Sequence, residues 1–407
     1  MLLVDRAPRT APPASARAVR TGVFVLVVLT AGAYLPSPML PGYQAEFGAG
    51  DLAMTLVYAT FALVSAPSLV LFGPASDVLG PRAALRAGVL AAAVGSACFA
   101  LASGTEWLLL GRAAQGVALG AATGAASTLI SAGQPGRGPV LASAAFLAGT
   151  AIGPVAGGVF AEYVPAAGVL ANALHLVLLG VAWRRVSALG SGRRGAALGQ
   201  AGRRSARWRP AAPRIPGGMR WSFLSSAGTG FVAWTVAGLF LALIPALLQR
   251  GAGANPAVSG CVLGAVLICS VVVQPLVPRW GPRRGQLAGL GALLGALVVL
   301  AATAGGSLVV TLGAAVIAGF GHGLAYGGAT AAVDREVPAG ERGGVLSALY
   351  LAFYLGAGCP AVVVGLLTSR FPLAAATSGV AWAAACLVPV VAAAVVRAGA
   401  GAPARAR

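Results

Sequence analysis

Few side chains in this 407-residue sequence can do chemistry, and they stand out against an apolar background. Arg112 lies near one end of an apolar run, three residues before Gln115. A guanidinium inside such a run is costly unless it faces a cavity or a partner, so it is a candidate for substrate contact or ion coupling. The competing reading is an arginine that snorkels to the interface towards Glu106. His322 sits between Gly321 and Gly323, well inside another run. Imidazole titrates near neutrality, which suits a proton relay; a packing histidine bonded to a carbonyl is the alternative. Tyr350 and Tyr354 are four residues apart and share one helical face. Together with Tyr34, Trp234 and Tyr326 they are candidates to line a cavity for flat or amphipathic molecules.

The elements that must position these groups follow from composition. Hydrophobic residues make up 58% of the chain and charged ones 9%, against about a quarter in soluble domains. Such a chain is an integral membrane protein. Twelve segments are long enough to cross a bilayer as helix, at roughly 19–41, 52–73, 83–103, 107–131, 138–160, 164–183, 221–247, 257–277, 285–304, 307–332, 345–367 and 372–396. The expected class is therefore an all-α membrane protein, with no enzyme activity, cofactor or metal. All 28 cationic side chains are arginine. Without lysine there is no Walker A loop and no Schiff-base chemistry. Neither a G-x-S-x-G nor an H-E-x-x-H motif occurs, and the five cysteines form no C-x-x-C.

Arginine placement sets the expected orientation. With the N-terminus inside, 25 of the 28 arginines fall in cytoplasmic segments. Both termini are then cytoplasmic in a multi-pass protein of the inner (cytoplasmic) membrane. The first segment follows four arginines, as a signal peptide would, but no small-residue cleavage site follows it. It is taken as the first helix, after a basic tail at 1–18. Residues 184–220 carry ten arginines and no acid. This linker separates a six-helix bundle at 19–183 from another at 221–396, with a tail at 397–407. Its charge suits anionic lipid rather than nucleic acid. The halves also repeat: "LGPRAALRAG" (79–88) recurs as "WGPRRGQLAG" (280–289). Two duplicated bundles imply a transporter with its site between them.

Three motifs add a family resemblance. "GPASDVLGPR" contributes Gly73, Asp77, Gly80 and Arg82; "RAAQGVALGA" contributes Arg112, Gln115, Gly116 and Gly120. "GTAIGPVAGG" contributes Gly149, Gly153, Pro154, Gly157 and Gly158. With "YLPSPMLPGYQAEFG" (34–48), these resemble the major facilitator superfamily, in particular its twelve-helix drug:proton antiporters and the bicyclomycin-resistance-like exporters. The resemblance implies two pseudo-symmetric six-helix bundles and export of a small molecule against protons by a protein acting as a monomer. It implies a cytoplasmic gate at the first motif, proton coupling at Arg112 and a sealing contact at the glycines around Pro154. It also places the sixth helix at the periphery, so His175 is read as packing. An uptake carrier of the same fold is the alternative, and a non-transporting sensor or scaffold a remote one. The sequence departs from the pattern at Val78 and Pro81. Pro278 stands where the second copy would need the acid of Asp77, and Gly32 and Ala33 stand where many such antiporters carry an acid. The only charge deep in the spans being Arg112, a neutral or anionic substrate fits better than a dication.

Overall fold

A computed structural model describes residues 16–72, 80–134, 137–189, 215–338 and 341–400. Among them are twelve helices long and apolar enough to cross a membrane. They are α1 (Ala16–Tyr34), α2 (Asp51–Phe72), α3 (Pro81–Ala100), α4 (Thr105–Gly133), α5 (Gly138–Tyr163) and α6 (Ala167–Ser187) in the first half. The second half holds α7 (Arg220–Ala252), α8 (Pro256–Val273), α9 (Pro282–Thr303), α10 (Leu308–Glu336), α11 (Arg342–Leu367) and α12 (Leu373–Ala400). Each expected segment is a helix, with ends displaced by a few residues.

Local chemistry explains several of those ends. Pro36 has no N–H to give to Gly32, so α1 stops at Tyr34 and passes into a 3₁₀ turn (Ser37–Met39) and a short helix (Leu40–Glu46). Asn255 caps α8 by accepting from the Val258 N–H at 2.8 Å, with Pro256 in the first turn. The repeated Gly-Pro-Arg turn folds the same way twice. Gly80 adopts φ 85°, ψ 154° and Gly281 φ 86°, ψ 155°, a region that only glycine enters freely. The proline that follows opens α3 in one copy and α9 in the other.

Packing obeys the same symmetry. In the first bundle α1 packs on α4, α5 and α6, α2 on α4, and α3 on α4 and α6. The second bundle repeats every one of these pairs, with α7 in the place of α1. The bundles meet along α5–α8 and α2–α11, two contacts that the symmetry exchanges. α7 is buried along most of its length, whereas α6 and α12 turn large apolar side chains such as Val177 and Val390 outward. In a bilayer those faces meet lipid, so the hydrocarbon takes the place of a polar shell.

Candidate functional site

Arg112 and Gln115 act as one unit, and the end of α1 explains why. Because α1 stops at Tyr34, the carbonyls of Gly32 and Ala33 lack their usual helical donors. Gln115 Nε2 donates to Gly32 O at 3.1 Å, and Arg112 Nη1 donates to Ala33 O. Arg112 Nη1 also reaches Gln115 Oε1 at 3.3 Å. The cation therefore sits on the negative end of the α1 dipole. Its guanidinium lies 5.8 Å from the ring centroids of both Phe61 and Phe99. Arg112 is 1% exposed, so it does not snorkel towards Glu106. Its Nη2 and Nε have no hydrogen-bond partner among the described residues.

The second bundle supplies an aromatic layer. His322 on α10 is fully buried, and its Nδ1 lies 2.9 Å from Ser270 Oγ on α8. Its ring meets Trp234 of α7 edge-on at 5.0 Å and stacks on Tyr326 at 5.7 Å. Trp234 in turn stacks on Tyr354 of α11 at 6.4 Å. Tyr350 joins this face through a side-chain hydrogen bond with Tyr326, and it packs edge-on against Phe353, 5.5 Å away, which also touches Tyr326. His322 Nε2 and Trp234 Nε1 are buried and have no hydrogen-bond partner among the described residues. Tyr34, at the end of α1, rests edge-on against Phe61 at 5.4 Å and lies within electrostatic reach of Arg112 and of Tyr354. Tyr34 is thus the candidate of the first bundle that lies within electrostatic reach of the aromatic group of the second.

The glycines around Pro154 divide between two faces of α5. A Cβ on Gly149, Gly153 or Gly157 would collide with α1 at Thr30, Ala31 or Leu35. Gly158 faces the other bundle, where a side chain would strike Pro256 and Gly260 of α8, and Gly260 itself lies against Pro154 O. Small residues here allow backbone-to-backbone approach. Arg82 binds within its own bundle: Nη2 donates to Ser187 O at 2.6 Å at the end of α6. Arg86 donates to Ser187 Oγ at 2.8 Å and lies over Trp183. Arg283 repeats the bond of Arg82, donating to Val396 O of α12 at 3.1 Å. Gly73 and Asp77 lie outside the described residues.

Two groups in the structure carry no site signal in the sequence, and a third, His175, takes the packing role expected of it. Asp51 and Arg250 join the bundles by a two-pronged ion pair at 2.5 and 2.9 Å, with Gln44 bonded to both. Arg250 was legible only as an arginine on the side where arginines are scarce. Phe61 and Phe353, which back the site, carry no signal within apolar runs. His175 is a packing residue, held by Ser96 Oγ at 2.6 Å and Val28 O at 3.0 Å in the space left by Gly32.

Comparison with known proteins agrees with this architecture. The model of the Major Facilitator Superfamily matches residues 22–359, well over half of the chain. The chain belongs to the major facilitator superfamily. It is thus a multi-pass membrane protein of a transporter family. No curated protein sequence matches it significantly. Among solved structures, it is similar to a POT family transporter in complex with 5-aminolevulinic acid at 13% identity and a TM-score of 0.74, covering 95% of this chain and 98% of that one. A bacterial homologue of the human lysosomal transporter Spinster, inward-facing and occupied, matches at 16% identity and a TM-score of 0.67, over 96% and 98%. At such identities the likeness is one of fold.

Proposed function

We propose that this transporter exports a small amphipathic organic molecule, a drug, antibiotic or metabolite, in exchange for protons. The observation that carries the proposal is the buried aromatic cluster of Trp234, His322, Tyr326 and Tyr354 in the second bundle, with Tyr34 of the first within electrostatic reach of it. Flat rings with unpartnered donors suit a molecule that is apolar in body and polar at one end. Rocking of α1–α6 against α7–α12 would expose this cluster to each side in turn. The contact of Pro154 and Gly158 with α8 would seal one end. His322 is the proton-carrying candidate, because no carboxylate among the described residues lies in the middle of a span. The protein would act as a monomer in the cytoplasmic membrane, with both termini and the arginine-rich linker inside, against anionic lipid.

The test is a toxicity panel on cells expressing the wild type or Arg112→Ala, with accumulation measured for every hit. Export predicts lower accumulation of some compounds in wild-type cells and its loss in the variant. Wild-type accumulation equal to empty-vector controls for every compound overturns it. The lack of a mid-span carboxylate also favours a second reading, an uptake carrier or facilitator. Counterflow in proteoliposomes without any effect of a pH gradient would select that one.

A further inference from the structure

We propose that the free edge of Arg112 binds a carboxylate carried by the transported molecule, so that the substrate is a planar organic acid rather than a cation or a neutral compound. This rests on the reading that the aromatic cluster and Tyr34 mark where the substrate lies.

The argument starts from how the guanidinium is used. Nη1 is committed to Ala33 O and Gln115 Oε1, which fixes the plane of the group. Nε and Nη2 are the two donors of the remaining side, and both are buried without a partner. Side by side, two such N–H groups form the fork that matches the two oxygens of a carboxylate. Phe61 and Phe99 flank the cation, shielding it from other counter-ions. Among the described residues, the groups close enough to influence Arg112 are Tyr58, Tyr34 and Tyr43, none of them a carboxylic acid. A buried cation lacking an anionic neighbour is an incomplete pair, and a ligand is the means of completing it.

The second bundle fits the same class of molecule. Trp234 Nε1 is a free donor, and Trp234, Tyr354 and Tyr326 present ring faces and edges for a flat body. Tyr34 lies within electrostatic reach of Arg112 as well as of Tyr354 and Tyr326. A cationic substrate would meet a fixed positive charge here with no acid to offset it.

A matched set of probes isolates the charge: 1-naphthoate, 1-naphthamide and 1-naphthylmethylammonium have the same bicyclic body. Binding to purified wild-type protein is read by quenching of tryptophan fluorescence and by thermal shift. Naphthoate should bind about tenfold or more tighter than the amide, and the ammonium compound weakest. Arg112→Gln should bring naphthoate to the affinity of the amide while amide binding persists, and Arg112→Lys should keep part of the preference. Equal affinities for naphthoate and amide in the wild type overturn the proposal, as do preference for the cation or failure of all three to bind. Stabilisation by chloride with no response to naphthoate would assign the site to a resident halide and also overturn it. The wild-type comparison needs no variant to fold. If the cells export compounds from the toxicity panel yet naphthoate shows no preference, the carboxylate assignment fails and export stands.

Discussion

The ion pair between Asp51 and Arg250 gives the most direct access to the balance between the two bundles. Asp51 opens α2 and Arg250 lies in the last turn of α7, so each charge also suits the helix end on which it sits. Arg250 Nη1 donates to Oδ2 at 2.9 Å and Nη2 to Oδ1 at 2.5 Å, while Gln44 Nε2 donates to Oδ1 at 2.7 Å. Bidentate geometry and the Gln44 support place the pair at the top of the range for surface pairs. Water weakens it, since the two side chains are 47% and 21% exposed. We expect about 1 kcal/mol of coupling. That amounts to about a fivefold change in the ratio between closed and open states at this end. The perturbation is a double-mutant cycle with Asp51→Asn and Arg250→Gln, read by thermal unfolding of the purified protein. Hydrogen exchange in Leu40–Glu46 and the last turn of α7 should rise about fivefold in either single variant and little further in the double. High salt should raise wild-type exchange towards the variants and leave them unchanged. A coupling energy near zero, or unaltered exchange in both single variants, would show that packing alone holds this end.

Three further outcomes follow from particular contacts. Gly32→Ala places a methyl group inside the ring position of His175, which should lower stability by about 1–3 kcal/mol. Adding His175→Ala should cost less than the separate effects predict, and strict additivity in thermal melts would contradict the contact. Gly158→Leu drives a side chain into Pro256 and Gly260, so transport should fall in normally inserted protein. Gly42→Leu, where nothing lies within 4 Å of the added carbon, serves as the control that should retain transport. Arg82→Gln removes a partly buried bond to Ser187 O and should cost about 1 kcal/mol; Arg283→Gln removes an exposed one and should cost less. Equal losses in chemical denaturation would refute that ordering.

Much of the architecture was legible because a bilayer needs long apolar runs, and twelve such runs became twelve spans. The ends were less legible. The first run was expected to continue to residue 41, but the helix stops at Tyr34 because Pro36 withholds a donor. The pairing of Arg112 with Gln115 was visible as a spacing, whereas its partners were not. They are main-chain carbonyls of another helix, and no residue type marks a free carbonyl. The spacing of Tyr350 and Tyr354 suggests a shared face; Tyr354 stacks on Trp234, while Tyr350 packs on Phe353 and hydrogen-bonds with Tyr326. The Gly-Pro-Arg repeat announced a duplicated turn, and both copies adopt the same backbone angles. Its arginines bind α6 and α12 of their own bundles, a placement that sequence symmetry leaves open.

The symmetry of the scaffold makes the asymmetry of the chemistry informative. α4 and α10 each contain 29 residues, and they align at an offset of 203. Gly116 and Gly120 pack on α2, while Gly319 and Gly323 at the matching positions pack on α8. These glycines set the distance between helices, so the scaffold tolerates little change in them. The candidate functional groups do not follow. Arg112 aligns with Ala315, and His322 aligns with Leu119. Seven positions separate the two levels, a rise of about 10 Å along a helix. A fixed cation at one depth in one bundle and a titratable imidazole at another depth in the other can act on different parts of one bound molecule. Had both bundles kept the same group at the same level, the site would be two-fold symmetric and suited to a symmetric ligand. Moving the charge by Arg112→Ala with Ala315→Arg should therefore fail to restore naphthoate binding, because Ala315 has no Gly32 and Ala33 carbonyls waiting to orient the fork. Recovery of binding in that double variant would show that a mid-membrane cation suffices wherever it is placed.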